Sequence, residues 1–171
     1  MRILATLMVL SLSQFCVAAQ GYIEKDGTRM EVVDSFAVLD RTNGKLTIYL
    51  LPGQLSASEK QKVASKNAFF VLVNKQSPNP NKWSWYPYAK LELSNKQGNF
   101  DSQKDLGGYY LMAYGVKKKN STDNLNGNIQ HDKSVVLINY RFNGKRVSFQ
   151  FSGKEDFFKI KWQLDVEAEV Q

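Results

Sequence analysis

The stretch "FKIKWQLDVEAEV", Phe158 to Val170, decides the fold. Phe158, Ile160, Trp162, Leu164, Val166, Ala168 and Val170 alternate without a break with Lys159, Lys161, Gln163, Asp165, Glu167 and Glu169. On a helix of 3.6 residues per turn these apolar side chains would point in every direction. Only an extended chain gathers them on one face. One face buried and one face wet is the signature of an antiparallel sheet solvated on one side. Val147, Phe149 and Phe151 repeat the alternation in the preceding segment. There "SVVLINYRF" leads into "KRVSFQFSG" across Asn143-Gly144, a pair able to take the positive φ of a tight hairpin turn. Asp26-Gly27, Asn43-Gly44 and Asn126-Gly127 carry the same turn signal, and "TRMEVVDSFAVLDR" leads into "KLTIYLLP" across the second of them.

One segment departs from this pattern. "SASEKQKVASKN", Ser56 to Asn67, is rich in helix formers, and Ser56 with Glu59 three residues later predicts a capping box. The continuous apolar run "FFVLVNK" that follows is expected to be a strand covered on both sides. "KQSPNPN" is a proline-containing loop, and "KKKNSTDNLNGN" is the longest polar stretch. The frequency of turns predicts an all-β, single-domain antiparallel β-sandwich, or a flattened barrel, of eight to nine strands with one short helix at 56–67.

The chain opens "MRILATLMVLSLSQFCVAAQG". A basic Arg2, an apolar stretch from Ile3 to Leu12, and the small residues Val17 and Ala19 predict a signal peptide over residues 1–19, leaving 20–171 as one domain. Cys16 opens a lipoprotein alternative, for which Phe15 fits poorly. Cys16 is the only cysteine, so the exported chain is expected to fold without a disulfide. No other apolar run approaches the length of a membrane-spanning helix.

The full chain carries a formal charge of +7. Without Arg2 the balance is 22 basic against 16 acidic side chains. The excess reads as spread along the chain, with one local run at Lys117, Lys118 and Lys119. It either serves solubility or attracts an anionic surface such as envelope polymers or acidic lipid. Nucleic acid is not expected, because no basic helix or nucleic-acid module is present.

Catalytic sets are scarce. His131 is the only histidine and sits in a polar stretch read as a loop, so neither a Ser–His–Asp set nor a zinc site is expected, and no cofactor is implied. Paired carboxylates remain open as hydrolytic groups. The candidates are Asp34, Asp40, Asp101, Asp105, Asp123, Asp132, Glu155 and Asp156. Asp34 stands out because it interrupts the apolar run "MEVVDSFAVL", where it reads as an outward-facing position or a bulge. Asp165, Glu167 and Glu169 read as a solvated face. Asn120 heads a glycosylation sequon, which has meaning only in a eukaryotic secretory route.

The densest aromatic stretch is "NKWSWYPYAK", Asn81 to Lys90. Period 2 puts Trp83, Trp85, Ala89, Leu91 and Leu93 on one face, and the tryptophans are read as core. Tyr86 and Tyr88 then share the other face with Lys90 and Glu92, and Pro87 points to an edge strand or a bulge. The tyrosines are either cross-strand fillers or an exposed platform for a sugar ring or an extended partner segment. If the protein binds a partner, the expected site is the outer face of 83–93, with Tyr86 and Tyr88 as platform and Lys82 and Lys90 at the rim. Lys117, Lys118 and Lys119 come next. "LGGYYLMAYGV", apolar on both faces, reads as an inner strand.

The segments "DSFAVLD", "LTIYLLPGQLS" and "IKWQLDVEAEV" resemble those of small, uncharacterised exported β-rich bacterial proteins. The resemblance implies export and a β-rich fold. It implies no activity and transfers no functional residues. The expected function is a non-catalytic binding or interaction protein of the cell envelope or extracellular space, periplasmic or secreted, that recognises an anionic glycan or an acidic partner. A carboxylate-dependent hydrolase and a structural envelope subunit are the alternatives.

Overall fold

The structure, a computed structural model, describes residues 19–66, 68–83, 85–116, 126–131, 137–156 and 159–171. Strand β1 (Gln20–Lys25) turns into β2 (Thr28–Val32) at Asp26 and Gly27, both with positive φ. β3 (Asp34–Asp40) turns into β4 (Lys45–Leu51) and closes at Gly44, where φ is 60° and an added Cβ would sit 2.0 Å from the Asn95 carbonyl oxygen. β5 (Tyr88–Ser94), β6 (Gly108–Tyr114) and β7 (Asn126–His131) continue this antiparallel meander. β8 (Ile138–Phe142), β9 (Arg146–Glu155) and β10 (Ile160–Val170) close the chain.

The closing strand organises everything else. β9 pairs antiparallel with β10 from Ile160 to Glu169 and so occupies one whole edge of it. β1 and β3 must therefore share the other edge. β1 pairs antiparallel with residues 160–165, and β3 joins parallel at Glu169 and Val170. The resulting order is β2-β1-β10-β3-β4-β5-β6-β7, with β9 and β8 branching from β10. The protein is mostly β, a mixed sheet curled into a half-barrel. The flattened-barrel form of the all-β expectation is thus the closer one, because one continuous sheet wraps its own core. No helix among the described residues is long and apolar enough to cross a membrane.

The period-2 face of β10 lines that core. Ile160, Trp162, Leu164, Val166 and Ala168 are buried with Val147, Phe149 and Phe151 of β9 and with the inner faces of β4 to β6. Gly153 lies opposite Trp162 in the register. A Cβ there would come within 2.5 Å of the indole, so the glycine is the space in which the ring lies.

A second core lies on the opposite face of β3 to β6. Phe36, Leu51 and Tyr88 turn outward and are covered by helix α1 (Ala57–Ser65) and helix α2 (Ala68–Leu72). The capping box holds as expected: Glu59 N–H donates to Ser56 Oγ at 3.3 Å, and Ser56 N–H donates to the Glu59 carboxylate at 2.8 Å.

Several expectations are corrected. The run from Ala68 is helical. Ala68 and Leu72, four residues apart, are buried together while Phe70 points to solvent; a strand would have put Phe70 and Leu72 on one face. Asn126-Gly127 makes no hairpin turn but lies within β7, opposite Tyr114 and Ala113. His131 is a strand position on β7. β5 is flanked by both β4 and β6, so it is not an edge; Pro87 falls just before its first residue and removes no ladder hydrogen bond. β6 is an interior strand, as expected. Residues 1–18 of the expected leader, Phe158, Asn120, Asp123 and Asp132 lie outside the described residues.

Candidate functional site

The helical cover is fastened to the sheet by charge. Asp34, read from sequence as outward-facing or bulged, is buried at the start of β3. One carboxylate oxygen accepts from Ser35 N–H at 2.8 Å and from Lys60 Nζ at 2.8 Å, and the other accepts from Leu55 N–H at 2.9 Å. The acid therefore holds both the approach to α1 and the middle of that helix. A second tie runs from Lys75, beyond α2, to the capping carboxylate of Glu59 at 2.5 Å. The Lys75 hydrogen bond, joined by those from Ser56, pulls the Glu59 carboxyl from 4.5 down to about 2.

Beneath the cover the aromatic rings stack. Phe36 lies on Tyr49 at 4.8 Å between centroids, and Tyr88 lies on Tyr114 at 4.6 Å. Tyr86 and Tyr88 are buried here, at 4 % and 3 % exposure. This overturns the expected tyrosine platform. Tyr88 does face away from Ala89 and Leu91, as the alternation predicts, but α1 and α2 cover that face. Tyr86 precedes the strand, and its hydroxyl donates to the Gly53 carbonyl at 2.9 Å. Burial raises both phenol pKa values, and for Tyr86 the charges of Asp34 and Glu59 add to the effect.

The expected rim disperses as well. Lys90 is half-buried and donates to Glu92 at 2.8 Å. Burial opposes its charge, but the Glu92 hydrogen bond and charge outweigh it and raise its pKa. The Lys82 amine donates to the Arg29 carbonyl on β2 and lies over the Trp83 ring. Lys117, Lys118 and Lys119 lie outside the described residues.

What stands on the outside of the cover is a different aromatic group. Phe69 meets Phe70 edge-on, with centroids 5.7 Å apart and planes at 75°, and meets Trp85 at 6.3 Å and 71°. Phe70 is 65 % exposed and Trp85 40 %. Trp83 does enter the inner core, as expected, but Trp85 does not, because residues 85–87 are not in a strand and period 2 lapses there. The backbone beneath is secured: Val73 N–H donates to the Phe69 carbonyl at 2.9 Å, and the Asn74 side chain donates to that of Phe70 at 2.8 Å.

The charge is also less evenly spread than the sequence reading held. Residues 56–90 carry six lysines (60, 62, 66, 75, 82 and 90) and one acid, Glu59. Lys60 and Lys75 are tied to Asp34 and Glu59, and Lys90 to Glu92. Lys62 and Lys66, on and just after α1, are exposed. The segment that displays Phe70 and Trp85 thus holds most of the chain's positive excess.

Carboxylates gather elsewhere. Glu24, Asp26, Glu155 and Asp156 line an open groove of about 400 Å³ with Lys159 and Lys161, where the tips of the β1–β2 and β9–β10 hairpins meet. Glu24 pairs with Arg29 at 3.5 Å and Asp156 with Lys154 at 3.1 Å. Among the described residues no group of three or more His, Cys, Asp or Glu side chains could hold a metal ion. Glu167 and Glu169, expected to be merely solvated, both pair with Arg146, at 2.7 and 3.1 Å. The chain matches no protein-family model, no curated protein and no solved structure.

Proposed function

We propose that the chain is an exported, non-catalytic binding protein of the cell envelope or extracellular space. Its contact face is the Phe69–Phe70–Trp85 group together with Lys62 and Lys66, exposed on and just after the neighbouring helix α1, and its partner is anionic. The observation that carries this reading is the exposure of Phe70 on α2 and of Trp85 in the chain before β5, at 65 % and 40 %, with both rings grouped on Phe69. Exposed large apolar side chains grouped together mark interaction surfaces, whereas scattered ones do not. The lysine excess of 56–90 gives the partner its sign. The export-like leader and the resemblance to exported β-rich proteins support the location.

The test is binding to isolated envelope fractions by the parent and by the double variant Phe70→Ser/Trp85→Ser. Binding is expected to fall with the double variant and with added salt, while the melting temperature stays within a few degrees. Undiminished binding by a folded double variant sinks this contact face. A second reading, a carboxylate hydrolase, draws on the groove lined by Glu24, Asp26, Glu155 and Asp156. It requires release of soluble fragments from envelope polymers that Glu155→Gln abolishes; no release by the parent ends it.

A further inference from the structure

We infer that the anionic partner is a lipid bilayer surface, into whose interface Phe70 and Trp85 insert; this rests on the binding reading above. A sugar-stacking site needs a flat ring face. Here the Phe70 and Trp85 planes stand at 75° and 71° to that of Phe69, so the three rings do not form one flat platform. The most protruding member, Phe70, has no polar atom with which to orient a glycan. Trp85 has an apolar body and a single N–H donor, the form that settles at a membrane–water boundary.

The charge fits the same partner. Three of the six lysines in 56–90 are paired with carboxylates. Lys62 and Lys66 are exposed on and just after α1, the helix in contact with α2, and each such cation is drawn to anionic headgroups within a Debye length. Aromatic insertion with adjacent lysines is the combination by which surface-bound proteins hold a bilayer without spanning it. The ion pairs Lys60–Asp34 and Lys75–Glu59 tie α1 to the sheet and the chain after α2 to α1.

The probes are vesicles of phosphatidylcholine with and without phosphatidylglycerol, and the lipid-extracted envelope fraction. Sedimentation with phosphatidylglycerol vesicles is expected, together with its loss in high salt and a fall of about tenfold or more for Phe70→Ser/Trp85→Ser. Trp83 and Trp162 are buried, at 4 % and 2 % exposure, so Trp85 dominates the accessible fluorescence. Brominated lipid is expected to quench it in the parent, a readout that needs no variant. Unquenched tryptophan, or equal vesicle binding by parent and folded variant, overturns the insertion. If vesicles do not bind while the lipid-extracted fraction still binds through Phe70 and Trp85, the bilayer is wrong and the binding reading survives. If neither binds, both fall.

Discussion

Replacing Asp34 by Ala tests how the contact face is held. The carboxylate is 7 % exposed and its partner Lys60 16 %. Removing it leaves a largely buried ammonium without its counter-charge, and leaves the N–H groups of Ser35 and Leu55 without an acceptor. Breaking a buried ion pair from one side costs about 3–5 kcal/mol. Lys60 can swing partly to water, which lowers the cost; the two orphaned N–H groups, worth about 1–3 kcal/mol each if they stay unsatisfied, raise it. The two corrections oppose one another, so about 3–5 kcal/mol is the expected loss. Lys60→Met leaves Asp34 with two backbone donors and should cost less, about 1–3 kcal/mol. Urea denaturation of the single variants and the double variant, read at unchanged m-value, gives the coupling. A loss below about 1 kcal/mol for Asp34→Ala would refute the clamp, since no buried pair could then be broken so cheaply.

Tyr88→Ser should destabilise by about 3–5 kcal/mol, because it deletes a buried ring stacked on Tyr114; thermal unfolding checks it, and a surface-like change would restore the exposed platform. Glu59 ionises in the folded protein near pH 2 against an ordinary 4.5. A lowered carboxyl pKa stabilises fully above the ordinary value and loses its contribution as the pH falls from about 4.5 through about 2, so the acid limb of a stability–pH curve should flatten in Glu59→Gln. Gly153→Ala should cost about 1–3 kcal/mol, since the added methyl meets the Trp162 indole, and near-UV circular dichroism should record displacement of that ring.

The closing strand was legible because thirteen residues repeat one period without exception, and a pattern of that length admits one geometry. The run from Ala68 was not, because a short apolar segment looks the same as a buried strand or a buried helical turn. The face of Tyr88 was read correctly. What covers it could not be read, since cover comes from helices that the alternation of β5 does not encode. Trp85 was misplaced because period 2 was carried through Pro87 into chain that is not a strand. The role of Asp34 depends on Lys60, 26 residues away, a pairing that exists only once α1 packs on the sheet. The lysine excess of 56–90 is in plain sight in the sequence, and a balance taken over the whole chain averages it away.

The claim that Phe70 and Trp85 form the contact face is tested most directly by hydroxyl-radical footprinting of the protein alone and bound to an isolated envelope fraction. Tyr110 on β6 and Ile138 on β8, exposed at 39 % and 50 %, serve as internal references. The account predicts protection at Phe70 and Trp85 with Tyr110 and Ile138 unchanged. Protection at Tyr110 or Ile138 with Phe70 and Trp85 still fully reactive would contradict it.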